Sequence, residues 1–522
     1  MNDSFSCKAE LILINGNIIT LDPLIPKATW VCIRNGNIIG IGDGETWKDY
    51  YNRNSDIIEC GGKTVLPGFI DAHLHLMSYA ESLMTLDLSF GNSHHAISDI
   101  KSAIQKYSRG LSPGTWIKGK GYNEFYIDEK RHPNRWDLDE AASNYPIKLT
   151  HRSGHAHVLN SLALKLVGIS KTTPDPKGGI IERDPKTGEP TGLLYEMGEF
   201  LSDHIPTLPD KDLEKGIIEA NGKLISSGIT SVHDASFINS VERYKRIASF
   251  KERGLLSPRL RMMIGMKGLE EYVEQDFSGY LFKEQLGING VKIILDETTG
   301  RLFPSKSELN EMVLKIHRRG MQVSIHAIEE NAIEAACESI AFALKKIPKR
   351  DHRHRIEHCS VCPPWLIKKM SSLDIMVVSQ PSFLFFSGDR YLKTVPDQQL
   401  KHLYPFKSLL DGGITLAASS DCPIVPPDPL IGISAAVSRK VKTGEVVVSE
   451  ECISMMDALE LYTKNAAFVT FEEKMRGTVS PGKLADLVVL NDDPTRLPHD
   501  EIKDLEVEVT IIDGKVVWNK RD

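Results

Sequence analysis

The segment Val65–Leu76 carries two histidines, His73 and His75, at the end of a short apolar run. Successive side chains of a strand point to opposite faces, so both imidazoles and Asp71 are expected to project the same way. Two imidazoles that converge from one strand end can chelate a divalent metal. A His-x-His pair alone is common by chance, so this interpretation depends on matching polar residues later in the chain.

Lys292 lies within the otherwise apolar stretch Val291–Leu295. Because a buried, unpaired ammonium is costly, the lysine needs a partner. One interpretation is an ion pair with a nearby carboxylate such as Asp296. The other is a metal ligand, either as a neutral amine or as a carbamate formed with CO2, which would bridge two metals with its two oxygens.

Three further polar residues, His326, His358 and Asp421, each end a predicted strand. The steps from Lys292 through these residues are 34, 32 and 63 residues long. One strand–helix unit takes about 30 residues, so all four side chains are expected at one rim of a parallel sheet. A single strand-end histidine is more typical of a core residue, and Asp421 alone would be typical of a helix cap or turn. Together they predict metal ligands, with Asp421 also taking a proton from water.

Short apolar strands alternate with amphipathic helical stretches between residues 66 and 474. One such stretch, Ser307–Arg319, has helical spacing, and its apolar face is formed by Leu309, Met312, Val313 and Ile316. This alternation predicts an α/β fold, a distorted (β/α)8 TIM barrel with the helices outside. The predicted strands are Phe69–His75, Thr230–Asp234, Leu260–Met266, Val291–Asp296, Gln322–His326, Arg355–His358, Ile375–Gln380 and Thr415–Asp421.

About 155 residues separate the first predicted strand from the second, far more than one crossover needs. Residues 78–225 are therefore predicted to be a large insertion after strand 1. Since the insertion leaves the carboxyl end of that strand, we expect it to cap the active site.

The two ends of the chain, residues 1–65 and 475–522, are rich in short apolar strands. Asn-Gly and Asp-Gly pairs tolerate positive φ and predict hairpins at Asn15-Gly16, Asn35-Gly36 and Asp513-Gly514. Neither end can bury its strands alone, so we expect a small composite β-sandwich domain built from both.

Composition excludes several classes of protein. A net charge of −7 with dispersed Lys and Arg disfavours a nucleic-acid partner. There is no apolar run of about 20 residues and no signal-like start, which favours a cytoplasmic protein without a membrane partner. The eight cysteines are scattered, and Cys359 and Cys362 are expected to be small turn residues rather than a zinc or redox pair.

The ordered motifs of the chain resemble the amidohydrolase superfamily, most closely its YtcJ-like branch, which includes N-substituted formamide deformylases. The matching segments are Leu66–His75, Ser153–Asn160, Gly228–Asp234, Gly290–Asp296, His326–Ile328, His354–His358, Ser419–Asp421 and Ser480–Leu487.

The resemblance implies a metal centre at the carboxyl end of the barrel. By position, His73, His75 and Asp421 would hold the more buried metal, and His326 and His358 the second. A carboxylated Lys292 would bridge them. The implied cofactor is a pair of zinc ions, with iron or manganese as alternatives. The chain departs from the family where Glu329-Glu330 replaces a common Gly-Asp.

Substrate contacts are predicted in the insertion and in the loops after the strands. The candidates are Trp116, Tyr122, His155, His157, His233, Arg301, Phe383 and Phe385. Packing is the alternative for Trp116 and the phenylalanines, and a solvated charge is the alternative for Arg301. His94, His95, His352 and His354 are expected to be exposed.

These features predict a metal-dependent hydrolase that cleaves a carbon–nitrogen bond, of a non-peptide amide type, in a small molecule. The alternatives are a catalytically inactive scaffold and a lyase or isomerase on the same fold. The sequence does not fix the oligomeric state, and a homodimer is expected only from this class of protein.

Overall fold

The computed structural model describes residues 8–89, 95–275, 284–297 and 300–521. Its chain divides into two compact units. Unit 1 comprises Met1–His75, Asn221–Leu295 and Pro304–Asp522, and unit 2 comprises Leu76–Ala220 and Asp296–Phe303.

The amino-terminal part of unit 1 is built of short strands. They are β1 Leu11–Ile14, β2 Asn17–Ile19, β3 Lys27–Ala28, β4 Trp30–Arg34, β5 Asn37–Gly42, β6 Asp56–Glu59 and β7 Thr64–Pro67. Within the described chain, four of them form a sheet in the order β5-β4-β1-β6. Its inner residues include Leu13, Val31 and Ile33, which are buried in one apolar cluster with residues of the carboxyl-terminal strands.

Only one of the two amino-terminal Asn-Gly pairs closes a hairpin. Asn35 and Gly36 both have positive φ, 47° and 72°, and join the antiparallel strands β4 and β5. The hairpin predicted at Asn15-Gly16 is wrong, because β1 pairs with β4 and β6 while β2 pairs with β3 and β7. Only Asn15 of that pair has positive φ. The turn therefore sends the chain from one sheet into another instead of folding it back.

The barrel begins with β8 Phe69–Leu74, after which the chain enters unit 2. The strands of unit 2 are β9 Leu86–Asp87, β10 Ile117–Tyr122, β11 Ile147–His151, β12 Ala156–Leu159, β13 Ile180–Arg183 and β14 Pro190–Tyr195. They form one mixed sheet, in the order β13-β14-β12-β11-β10-β9 for the described residues. Its helices are α1 Leu76–Leu83, α2 Ile97–Ser108, α3 Arg135–Ala142, α4 Ser161–Leu166 and α5 Gly198–His204, and α6 Asp210–Ser226 leads back to unit 1. The prediction that residues 78–225 cap the active site stays a prediction.

The remaining seven barrel strands of the described chain follow after unit 2. They are β15 Ile229–Asp234, β16 Arg259–Ile264, β17 Leu286–Ile294, β18 Gln322–Ala327, β19 Arg355–His358, β20 Met376–Ser379 and β21 Leu416–Ala418. In the part of the chain that the structure describes, β8 and β15–β21 form an eight-stranded parallel sheet in sequential order. The two edges meet, because the Asp421 N–H donates to the His73 carbonyl at 2.8 Å. The predicted fold class, an α/β barrel with separate β-sheets, is confirmed.

Helices follow each of these strands. They are α7 Val241–Glu252, α8 Met266–Glu274, α9 Lys306–Arg318, α10 Glu330–Lys346, α11 Pro364–Ser372, α12 Ser382–Thr394, α13 Asp397–Leu400, α14 Phe406–Asp411, α15 Pro429–Ser438, α16 Met455–Leu461 and α17 Lys464–Phe468. The last three of them, α15–α17, come after β21 and before the carboxyl-terminal strands. The predicted helix near residue 307 is α9. The Ser305 side chain caps its first turn, with Glu308 completing a capping box, and Leu309, Val313 and Ile316 are buried. Of the helices in the described residues, none is long and apolar enough to span a bilayer.

The carboxyl-terminal strands are β22 Leu487–Leu490, β23 Val507–Ile512 and β24 Lys515–Asn519. They extend the sheet of β7, β2 and β3, giving the order β24-β23-β22-β7-β2-β3 among the described residues. The Asp513-Gly514 hairpin between β23 and β24 is confirmed, and both residues have positive φ. Strands from the two ends of the chain therefore pair within one sheet, with β22 next to β7.

Candidate metal centre

His73, His75 and Asp421 converge at the carboxyl end of the barrel. One ligand atom from each lies within 4.8 Å of the others. Asp421 Oδ1 is 3.1 Å from His75 Nε2 and 3.4 Å from His73 Nε2. Asp421 has a positive φ of 57°, so the backbone turns sharply just after β21. This turn, together with the hydrogen bonds from the Asp421 N–H to the His73 carbonyl and from the His75 N–H to the Cys422 carbonyl, brings the three residues together.

The donor set fits a divalent cation. Asp421 Oδ1 is buried and, among the described residues, has no hydrogen-bond partner despite the two nearby imidazole nitrogens. A buried carboxylate oxygen without a donor is costly unless a cation satisfies it. Two imidazole nitrogens and a carboxylate oxygen are ligands that zinc, iron and manganese accept.

Electrostatics keep these groups in the forms that bind a metal. Burial alone would raise the pKa of Asp421, but His75, His73 and His358 outweigh it and hold that pKa well below its usual range. Burial, with the charge of Lys292 adding to it, lowers the pKa of His73 well below its ordinary value. At neutral pH the centre therefore contains a carboxylate and a neutral imidazole, which is the form of histidine that coordinates metals.

Lys292 lies against this group. Its Nζ is 3.5 Å from His73 Nε2, and the side chain is fully buried. Burial lowers its pKa to about 8, although the carboxylates of Glu357 and Asp421 act in the opposite direction. The amine is thus much easier to deprotonate than an exposed lysine.

His326 and His358 complete the cluster. Their ring centroids are 4.4 Å apart, and the ring of His358 lies 5.0 Å from that of His73. His358 has a positive φ of 73°, so it departs from regular strand geometry at the end of β19. Its Nδ1 contacts Gln380 Oε1 at 2.8 Å. All six sequence-predicted ligands therefore lie in one connected group, and their role as ligands stays a prediction.

Several residues that support this group were not predicted from the sequence. Ser236 Oγ lies 3.0 Å from His75 Nδ1, and Gln380 donates to Ser419 Oγ while contacting His358. Glu357 Oε2 lies 2.5 Å from His73 Nδ1. Glu357 directly precedes the predicted ligand His358 in the sequence, yet a single glutamate in a strand does not reveal which residue it will contact.

The candidate substrate residues of unit 2 have different environments. Tyr122 is buried in the apolar core of the unit, with its hydroxyl 3.0 Å from His132 Nδ1. Trp116 packs against an apolar cluster, which agrees with the packing alternative. His155 is part-exposed and pairs with Glu196 at 2.9 Å, and His157 is buried. Arg301 is exposed.

The remaining candidates belong to unit 1. Phe383 and Phe385 on α12 are partly buried. His233 is fully buried and lies 3.4 Å from Thr470 Oγ1, inside the charge field of Arg355, Arg476 and Arg261. This position argues against contact with a substrate.

The prediction that His352 and His354 are exposed is wrong. They are 2% and 0% exposed, because both rings are used in hydrogen bonds between neighbouring strands and loops. His95 is exposed as expected, and His94 lies outside the described residues. Cys359 and Cys362 are buried small residues after β19.

Comparison with known proteins places the chain among hydrolases. The model of the family described as "Amidohydrolase family" matches residues 56–518. The Bacillus subtilis protein YtcJ is 29% identical over 527 residues, covering 94% of this chain and 96% of that protein. N-substituted formamide deformylase from Arthrobacter pascens is 28% identical over 537 residues, covering 98% of each chain.

A solved structure gives a similar result. The crystal structure of an uncharacterised metal-dependent hydrolase from Pyrococcus horikoshii matches with a TM-score of 0.75 and 25% sequence identity. The match covers 94% of this chain and 99% of that one.

Proposed function

The chain belongs to the amidohydrolase family, as its motifs predicted, and we propose that it hydrolyses a carbon–nitrogen bond of a non-peptide amide in a small molecule. The observation that carries this proposal is the buried Asp421 Oδ1, which faces His73 and His75 without a hydrogen-bond donor among the described residues. The similarity to an N-substituted formamide deformylase over nearly the full chain supports an amide substrate. An N-formyl or N-acyl amide is the first choice, and a cyclic amide or urea the second.

Two zinc ions are the proposed cofactor, with iron or manganese as alternatives. His73, His75 and Asp421 would hold one ion, and His326 and His358 the other. When bound, such ions act as Lewis acids and lower the pKa of water toward neutrality. The clustering of all six candidate ligands favours this enzyme over an inactive scaffold, which would not need to retain them.

Asp421 is the proposed general base. Its pKa is held below the usual range, so it is ionised at neutral pH. A carboxylate this weakly basic could take a proton only from water whose own pKa had been lowered, as a bound metal would do. It would take a proton from the attacking water and pass it to the leaving nitrogen as the C–N bond breaks. The amine then leaves neutral, and the carboxylic acid is the second product.

Lys292 is proposed to be carboxylated. A pKa of about 8 leaves part of the amine unprotonated near neutral pH, and only the unprotonated amine attacks CO2. The ammonium first loses one proton; the resulting amine then forms an N–C bond with CO2 and loses a second proton. With two protons released to solvent, a buried cation would become an anion with two oxygens. That change would remove a costly buried ammonium, and Lys292 would then offer two oxygens as further metal ligands.

A panel of N-formyl amides, N-acyl amides, cyclic amides and ureas tests the proposal. The zinc-loaded protein is expected to release equal amounts of amine and carboxylic acid from at least one class. The same protein treated with a chelator should release neither. A cyclic amide would instead give one ring-opened amino acid, and a urea would give amine and carbon dioxide. Loss of any of these substrates without the addition of water across the C–N bond, as a lyase or isomerase would give, would contradict a hydrolase.

A further inference from the structure

A buried series of polar contacts reaches the Nδ1 edge of the His73 ring. Arg355 and Glu357 are two residues apart on β19, so both point to the same side of the strand. Arg355 Nε donates to Glu357 Oε1 at 2.5 Å, and Glu357 Oε2 lies 2.5 Å from His73 Nδ1. The side chains of Arg355 and Glu357 are fully buried, and that of His73 is 1% exposed.

The chemistry of this contact decides which way the imidazole faces. A carboxylate is an acceptor only, so the hydrogen of the His73 ring is carried on Nδ1. The lone pair is then on Nε2, at the opposite edge of the ring. Nε2 is the atom that lies 3.4 Å from Asp421 Oδ1 and 3.5 Å from Lys292 Nζ.

Arg355 fixes Glu357 and at the same time fixes the strand that bears His73. Its NH2 group donates to the carbonyl oxygen of Ala72 at 3.1 Å. Ala72 precedes His73 on β8, so the same guanidinium contacts the backbone of one strand and the carboxylate of the other. A glutamate that would be costly to bury alone is thereby held as a charge-assisted pair.

We propose that Glu357 is a positioning residue for the metal centre: it holds His73 with Nε2 free and aimed at the cation, and Arg355 holds Glu357 in place. The inference rests on the proposed metal-binding role of His73. Outer carboxylates that accept from a ligating histidine set its tautomer and orientation, and their loss weakens metal binding about 10–100-fold.

Glu357→Gln tests this role at constant volume. The carboxylate serves two donors with two oxygens, whereas the glutamine amide has one oxygen and one NH2 group. Either Arg355 or His73 must then face a donor. Zinc affinity, measured on purified full-length protein by competition with a chromophoric chelator, is expected to fall about 10–100-fold.

Glu472→Gln is the matched control. Glu472 is also fully buried in unit 1, and its carboxylate contacts Arg261, Arg476 and Thr470. The control therefore removes a buried, arginine-paired carboxylate that contacts none of the six candidate ligands among the described residues. Its melting temperature is expected to fall much as that of Glu357→Gln does, while its zinc affinity stays within about two-fold of wild type.

Combination with a ligand variant separates positioning from general destabilisation. In a His73→Ala background, Glu357→Gln should weaken zinc binding no further, because the residue acts through His73. If Glu357→Gln fails to fold, Glu357→Asp serves instead. The shorter side chain keeps both acceptor oxygens but moves them back by the length of one methylene. An intermediate loss of zinc affinity is expected.

Three outcomes would overturn the inference. They are wild-type zinc affinity in the Glu357 variants, equal losses in Glu357→Gln and Glu472→Gln, or additive losses with His73→Ala. A wild-type chain that binds no divalent metal would overturn the proposed function as well. The first three outcomes leave that proposed function intact.

Discussion

Asp71 and Ser420 join the strand that bears the two histidines to the loop that bears Asp421, although 349 residues separate them. Asp71 Oδ1 accepts from the Ser420 N–H at 3.1 Å and from the His73 N–H at 3.2 Å, and its Oδ2 accepts from Ser420 Oγ. Burial raises the pKa of Asp71 to about 6, and the hydrogen bonds from Ser420 and His73 oppose that change. One side chain therefore aligns two parts of the candidate metal centre.

Replacement of Asp71 is expected to loosen that alignment. Asp71→Ala leaves the N–H groups of His73 and Ser420 without their acceptor in a buried place, at a cost of about 1–3 kcal/mol for each. Zinc affinity and melting temperature should both fall. Asp71→Asn keeps an acceptor oxygen for these two N–H groups and should retain most of both. If the Ala and Asn variants behave alike, the hydrogen bonds do not have this role.

Asp421→Asn is expected to remove the general base. The amide cannot accept the proton from water, so kcat should fall by at least about 10²–10⁴-fold while the circular dichroism spectrum is unchanged. Asp411→Asn, at an exposed helix position paired with Lys407, is the control and should keep wild-type turnover. Near wild-type turnover in Asp421→Asn would contradict the assignment.

Metal content distinguishes a bridged centre from a single-ion site. We expect about two metal ions per chain by elemental mass spectrometry, on protein purified without chelators or a metal-affinity tag. Lys292→Met should lose one of them, because no carbamate can form. Protein supplied with ¹³C-labelled CO2 should show a carbamate carbon resonance that Lys292→Met lacks. One ion in both proteins would indicate a mononuclear hydrolase with a structural Lys292.

Stability is expected to decrease in mild acid because of His352 and His354. Burial lowers the pKa of both, and that of His354 falls well below its ordinary value. His354 Nδ1 accepts from the Val323 N–H, and His352 Nδ1 accepts from the His354 N–H, so neither nitrogen has room for a proton.

The direction of the pH dependence of stability follows from these lowered pKa values. In the unfolded chain both histidines titrate near pH 6.5, whereas the folded chain resists protonation. The stability they contribute is therefore complete above that pH and is lost progressively as the pH falls below it. Denaturation with urea between about pH 7.5 and 5.5 should show this decline, with a shallower slope for His354→Asn. An equal slope in that variant would refute the explanation.

The local sequence pattern predicted the candidate ligands better than it predicted the residues around them. The alternation of β8 and the spacing of Lys292, His326, His358 and Asp421 identified a set of residues that lie together in the structure. The predicted burial of individual histidines failed at His352 and His354. The sequence around a loop histidine does not show whether an N–H group from a distant part of the chain will donate to its ring and bury it.

The sequence by itself determined the barrel, the strand ends that carry the candidate ligands and the hairpins at Asn35-Gly36 and Asp513-Gly514. These features depend on strand periodicity, on repeat length and on local backbone preference, all of which are properties of short segments. The tertiary structure alone decided that Glu357 contacts His73, that Asp71 binds Ser420, and that the strands around Asn15 enter different sheets. Those relationships join residues up to 349 positions apart, and they exist only once the barrel has closed and excluded water from the polar groups that must then find one another.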